Sequence, residues 1–582
     1  MKKFGLLFLC LFLLGAGIRA IKITRPVNTT SWREADLSSI ARNYYREGMN
    51  LFAPRIDWRG DGPGFTEIEF PLYPWMVAML HKAFGYHELF GRVLVYLFSL
   101  TGLFLFFKLA RYLLPPAGAF AASLFFVLSP LAFFVSTAIH AEGLMFLCYL
   151  TAAYFFIRWN DSQSDRHYFT AIAATALTIL TKATAAHIGL FFAAVVLTGM
   201  GFGALRRWRI WLFAIAALLP AALWYSYAHK LWLTYGNSMG LSNEYHWTGM
   251  DFFTQPRFVL GIIQQEISLV WMPVGIIIVV LAILLRRSET NKAVRYAVWW
   301  LISVLIFYCI AARSTSDDWA FYYHIFSVPS VALLIGAGAQ AISRLKIPIR
   351  LLILFGIVSV VGAALLGLFT FPPFAELVPD NFEKWMLRLA TLMIAATVGT
   401  AWLFLSQRRA TKTEEDFSSH AMLRAVAGYA ATACLCLIFL FELNEIQRDI
   451  HRGDPQFFNC AREFAPLIPQ QTLILASGGE CTDADGYPAA YNSSYFFYWL
   501  DRKGFNICED RQSMEEVRSF ASRGANYFVA EKSSLQKKPD FEAKLRAAYP
   551  VIKECNAAVV FQLQEKHAAQ PDLTNSGHLA QH

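Results

Sequence analysis

The chain has 582 residues, of which 56% are apolar and 16% charged, and it carries a formal net charge of +9. A soluble globular domain averages about half apolar and about a quarter charged, so this composition excludes an ordinary soluble enzyme. The positive charge sits in short loops between apolar runs, which accounts for it without any nucleic-acid surface.

In chain order, Met1-Lys2-Lys3 leads into an apolar run that reaches Ile18. Arg19 lies beside the best small-residue cleavage position and favours a retained anchor over a cleaved signal peptide. Residues 22–88 then form a first outer loop containing two juxtamembrane helices. Ser31-Trp32-Arg33-Glu34 has the form of a capping box, followed by Leu37, Ile40, Ala41 and Tyr44 at helical spacing and a stop at Gly48. The second helix starts at Pro71 and stops at Gly85. Both are too short and too polar to span, and they are expected to lie on the membrane surface. Gly60-Asp61-Gly62-Pro63-Gly64 between them reads as a flexible loop.

Apolar runs near bridging length, about 17–25 residues, lie near 4–21, 89–111, 117–137, 140–158, 167–181, 184–202 and 209–228. They continue near 269–286, 294–312, 321–343, 348–371, 385–405 and 422–442. The expectation is a mainly α, polytopic membrane protein with about thirteen transmembrane helices. Alternate loops carry Lys108/Arg111, Arg158/Arg166, Arg206-Arg207-Trp208-Arg209, Arg286-Arg287, Arg344/Lys346/Arg350 and Arg408-Arg409. The positive-inside bias makes those loops cytoplasmic and turns 22–88, 229–268 and the tail after 443 outward.

The tail changes character. Residues 472–476 and 526–530 read as short buried strands with a helix from Ser513 to Arg523 between them. Residues 1–443 are therefore assigned to a transmembrane domain, 444–565 to a small α/β domain outside the membrane, and 566–582 to a disordered tail. Cys460, Cys481, Cys508 and Cys555 all lie in that outer domain. Two disulfides are expected there, with three pairings open.

Six ionisable residues sit at the edges of apolar runs and on one predicted side: Asp36, Glu69, Glu142, Lys182, Asp318 and His324. Such charges are costly and mark either interfacial anchors or function. Asp36 has a bland role available in offsetting a helix dipole, whereas Glu34 is explained by the capping box. Glu69 has a similarly placed competitor in Glu67. Glu142 enters an apolar helix, and Lys182 has no acidic neighbour in sequence, though a lysine there can snorkel. Tyr322-Tyr323-His324 can belong to an aromatic belt. Together the set makes chemical sense: a carboxylate to take a proton from a hydroxyl, cations to stabilise a departing phosphate, and apolar walls for a lipid tail.

The segments Trp32-Arg33-Glu34-Ala35-Asp36, Glu69-Phe70-Pro71-Leu72-Tyr73-Pro74, His140-Ala141-Glu142, Leu180-Thr181-Lys182 and Tyr322-Tyr323-His324 resemble those of membrane glycosyltransferases of the type C fold (GT-C). The resemblance is to bacterial relatives of protein O-mannosyltransferases and lipid A aminoarabinose transferases, and covers roughly residues 1–345. It implies sugar transfer from a polyprenyl-phosphate donor, on the outer face of a cell inner membrane, to a hydroxyl of a lipid, polysaccharide or protein. Asp36 is then the catalytic base, with Glu34 as the alternative because relatives carry an acid pair where this chain has Arg33-Glu34. Glu142 joins the acceptor site, and Lys182 and His324 match donor-phosphate contacts. Glu69, Asp318 and Tyr323 complete the substrate-binding set. No cofactor is expected; the acids leave room for a divalent metal, but no ligand spacing demands one. The competing expectation is a transporter or flippase for a lipid-linked sugar, against which stands the absence of matching broken helices in two halves.

Overall fold

The computed structural model describes residues 2–21, 23–27, 32–249, 251–284, 292–342, 357, 360–361, 455–483 and 486–564. Of the expected spans, those at 348–371, 385–405 and 422–442 lie outside these residues apart from positions 357, 360 and 361, as do Ser31 and the stretch 566–582. The chain is mainly helical, with a small sheet near its C-terminal end. It divides into two units, one taking in Met1–Arg25, His87–Tyr227 and Trp247–Arg452, the other Pro26–Tyr86, Ala228–His246 and Gly453–His582.

The helices in chain order are α1 (Lys2–Ala20), α2 (Trp32–Glu47), α3 (Leu72–Phe84), α4 (Leu89–Leu113), α5 (Pro116–Leu128), α6 (Pro130–Val135) and α7 (Glu142–Ser162). They continue as α8 (Asp165–Thr181), α9 (Ile188–Met200), α10 (Trp208–Tyr235), α11 (Pro256–Gln265), α12 (Met272–Leu284), α13 (Lys292–Ile310), α14 (Ala312–Ser316) and α15 (Val328–Ile342). In the tail follow α16 (Pro455–Phe464), α17 (Ser494–Leu500), α18 (Met514–Ser522), α19 (Lys532–Gln536) and α20 (Pro539–Ala548).

Among the described residues four helices are long and apolar enough to cross a membrane, and six if each of two bent pairs is one span. On α10, Trp211, Ile215, Leu218, Leu219 and Leu223 are all exposed. A stripe of large apolar side chains at this spacing has no place in water and fits lipid. The protein is a multi-pass membrane protein.

Three expected spans are interrupted, each next to a proline. The run 117–137 is two helices, because Ser129 precedes Pro130 and leaves the helical region at ψ 125°. Ser129 then starts α6, its hydroxyl accepting from the Ala132 N–H at 3.4 Å. The run at 269–286 meets a π-helical turn, Glu266–Trp271, before Pro273. The run at 321–343 begins as a 3-10 segment, Asp318–Phe326, and bends by 51° into α15, where Pro329 is the second residue.

Within the first unit α7 packs along α4 and α8, and α15 lies against α5, α12 and α13. Aromatic rings fill the seams, as where Phe156 stacks on Phe192 at 3.9 Å between centroids. One buried polar cluster there is paired: the Trp300 indole donates to the Tyr149 hydroxyl at 2.6 Å, which meets His187 Nε2 at 3.0 Å.

The second unit holds a five-stranded sheet of β1 (Leu473–Ser477), β2 (Lys503–Ile507), β3 (Ala525–Glu531), β4 (Val551–Glu554) and β5 (Ala558–Gln562), in the order β2-β1-β3-β5-β4. β2, β1 and β3 run parallel, and β5 pairs antiparallel with β3 and β4. Alternation along β1 sends Leu475 into a core with Phe505, Phe528 and Leu545, and Ile474 and Ala476 into another with Phe464, Phe496 and Leu500. The expected strands at 472–476 and 526–530 are β1 and β3, and the expected helix 513–523 is α18.

The structure pairs Cys460 with Cys555 and Cys481 with Cys508. The first bridge closes a sequence separation of 95 residues, so its loss should cost about 2–5 kcal/mol. Peptide mapping without reductant should recover these two linkages, and Cys555→Ser should lower the melting temperature. A different linkage would show the tail packed otherwise.

Candidate active site

The residues singled out in the sequence divide between the two units. In the second unit, α2 starts and stops where the sequence places it, but its polar face is buried along with its apolar one. Arg33, Glu34, Asp36, Ser39, Arg42 and Asn43 are all buried. Buried polar groups need partners, and most of these have them. Arg33 is ion-paired with Glu69. Arg42 Nη2 donates to Asp57 Oδ2 at 2.7 Å, and Asn43 Nδ2 to Asp57 Oδ1 at 2.8 Å. Glu67, the neighbour that competes with Glu69, accepts from the hydroxyls of Ser238 and Ser242 at 2.5 and 2.6 Å. Both acids are thus engaged within the unit.

Asp36 is different. It is fully buried, its Oδ1 accepts from the Trp58 indole N–H at 2.8 Å, and its Oδ2 has no hydrogen-bond partner among the described residues. Burial pushes its carboxyl up to about 7, against the pull of the Trp58 N–H and the Arg33 charge. A carboxylate with a free lone pair and a pKa near neutrality is suited to accept a proton. Glu34 is buried two residues away on the same helix.

In the first unit, Glu142 is the first residue of α7 and Lys182 directly follows α8, where the chain turns extended at φ −159° and ψ 105°. The two helices form a hairpin, so its open end brings these residues together: Lys182 Nζ lies 2.7 Å from Glu142 Oε1. Both are nearly fully buried, at 3% and 1% exposure. The Lys182 ammonium also stands over the Tyr323 ring at 4.7 Å and the Tyr322 ring at 5.4 Å. His140 Nδ1 is 3.5 Å from Glu142 Oε2. An apolar cavity of about 220 Å³ is walled by α7, α8, α9 and α10, with Ile179, Ala186, Phe192 and Ala217 in its lining.

His324 lies in the 3-10 segment with both ring nitrogens occupied, Nδ1 at 2.7 Å from Glu266 Oε1 and Nε2 at 2.7 Å from the Thr315 carbonyl. A phosphate contact from His324 requires one of these bonds to open. Asp318 begins the same segment, and its side chain lies outside the described residues. Among the described residues, no three His, Cys, Asp or Glu side chains are grouped to hold a metal ion.

Sequence reasoning passed over Trp58 and Glu266. Glu266 carries the signal that identified Glu142, a carboxylate entering an apolar run, but sits a few residues before the expected start at 269. Trp58 lies just before the glycine-rich loop and offers no periodicity.

The family described as dolichyl-phosphate-mannose-protein mannosyltransferase matches residues 63–227. No curated protein matches by sequence. Among solved structures, ArnT from Cupriavidus metallidurans bound to undecaprenyl phosphate superposes with a TM-score of 0.58 at 15% identity, covering 96% of this chain and 98% of that one. The apo state of the same protein gives a TM-score of 0.57 at the same identity and coverage. This chain has the GT-C fold.

Proposed function

We propose that this protein transfers a sugar from a polyprenyl-phosphate donor to an acceptor hydroxyl on the outer face of the membrane, with inversion at the anomeric carbon. The observation that carries this is Asp36, a buried carboxylate with one oxygen that has no hydrogen-bond partner among the described residues and a pKa raised to about 7. The acceptor O–H gives its proton to Asp36 Oδ2 while its oxygen bonds to the anomeric carbon. The bond from that carbon to the phosphate oxygen breaks, and its electron pair leaves with the polyprenyl phosphate. A single displacement of this kind inverts configuration. Lys182 supplies positive charge for the leaving phosphate, with Glu142 fixing its ammonium and Tyr323 beneath it. The apolar cavity among α7, α8, α9 and α10 has a lining that suits an isoprenoid chain. Undecaprenyl phosphate bound to ArnT, a protein of the same fold, supports the donor class. Two disulfides in the tail support an outward-facing, oxidising side, such as the outer face of an inner membrane.

A base must be unprotonated to work, and this one is half protonated near pH 7. Transfer should therefore rise with pH through about 7 and flatten above it, and kcat/KM against pH in detergent checks this. An acid limb near pH 4 would remove Asp36 from the role and bring Glu34 forward. Assay of polyprenyl-phosphate release from a labelled donor tests the reaction itself: no release under any acceptor mixture would refute it.

A further inference from the structure

Among the described residues, one Asp36 oxygen is hydrogen-bonded and the other has no hydrogen-bond partner, so whatever holds the first sets the direction of the second. The second χ torsion of an aspartate is broad and selects no orientation by itself. Its holder is the Trp58 indole N–H at 2.8 Å.

Trp58 is in turn fixed from both sides. Before it, the Asp57 carboxylate is gripped by Arg42 and Asn43, the Asp57 carbonyl accepts from the Gly504 N–H at 3.1 Å, and after it the Gly60 N–H donates to the Gly504 carbonyl at 2.6 Å. Gly504 belongs to β2, the outer strand of the sheet, so residues 57–60 lie along its free edge much as an added strand would. Only glycine serves there: a side chain at Gly504 would meet the Ile474 carbonyl at 1.8 Å. Arg42 completes the brace, with Nη1 at 3.0 Å from both the Tyr498 carbonyl and Asp501.

We propose that Trp58 is a positioning residue for Asp36, and that the C-terminal α/β layer serves the reaction by holding Trp58 in place. The groups that act on the Asp36 carboxyl are Arg33 on its own helix, Trp58 and Asp57 in the loop, Ser494 on α17, and Tyr245. Of these, Trp58 donates the hydrogen bond to Oδ1 and thereby favours the charged form. Its loss leaves only Arg33 and Ser494 to favour the charged form, frees the carboxyl to turn away from the acceptor, and raises the pH at which it ionises.

Because the inference rests on the transfer reaction proposed above, the experiment reads wild type beside two variants. One is Trp58→Phe. The other places at position 58 the benzothiophene analogue of tryptophan, which keeps the ring shape and replaces the N–H by sulfur. Both should lower kcat about ten- to hundredfold and move the acid limb up by about one to two pH units, with KM for the donor unchanged. If the analogue protein keeps the wild-type kcat and acid limb while wild type transfers sugar, the positioning role falls and the reaction stands. If wild type itself transfers none, both fall.

Discussion

Asp36→Asn removes sugar transfer and makes the protein more stable above pH 7. The loss should be about a hundred- to ten-thousandfold, the range for a positioned general base. The gain follows from linkage. The carboxyl moves from an ordinary 3.8 to about 7 on folding, so the folded state holds its proton more tightly than the unfolded chain does. Wild-type stability accordingly declines as pH rises from about 4 to about 7, and the full cost of ionising the buried group is present above that. A neutral amide escapes it and still accepts from the Trp58 N–H. The advantage should reach about 2–4 kcal/mol at pH 8 and fade as the pH drops towards 4. Melting temperatures at pH 5 and pH 8 check it. A variant that is inactive and equally destabilised at both pH values would make Asp36 a structural residue.

Lys182→Met should abolish transfer and destabilise strongly, while Lys182→Met with Glu142→Gln should recover stability and remain inactive. The pair is nearly fully buried at 2.7 Å. Taking one charge away removes the nearest opposite charge of the other in a poor solvent, which costs about 3–5 kcal/mol, whereas replacing both is close to neutral. Thermal melts and transfer assays on the two single variants and the double form a cycle that separates the two roles. Activity returning with stability in the double variant would show that the pair only holds α7 to α8, with no cation needed for the phosphate.

The ends of α2 and α3 were legible because their signals are local: helical spacing, Gly48 and Gly85. The burial of the polar face of α2 was not. Its partners Asp501 and Ser494 lie more than 450 residues away in the chain, and nothing in a local pattern announces them. Glu142 and Lys182 were each visible as a charge at the edge of an apolar run. That they meet follows from the hairpin, since each lies about twenty residues from the turn at Gln163. The breaks at Ser129-Pro130 and Met272-Pro273 were written in the sequence as prolines but outweighed by the apolar runs around them. His324 was visible as a polar group in an apolar setting, yet its partner Glu266 comes from another helical segment. The short strands β2 and β4 lack a clear apolar run: Lys503-Gly504-Phe505-Asn506-Ile507 and Val551-Ile552-Lys553-Glu554 carry polar residues that only pairing with a neighbour makes strand-like.

The most direct measurement follows a labelled sugar in vesicles that contain the purified protein, a polyprenyl-phosphate sugar and a membrane extract as acceptor. Label moving from the lipid carrier to an acceptor with wild type, and not with Asp36→Asn, is the predicted result. Label crossing the bilayer while still attached to its carrier, equally in both proteins, would contradict it and make the protein a transporter.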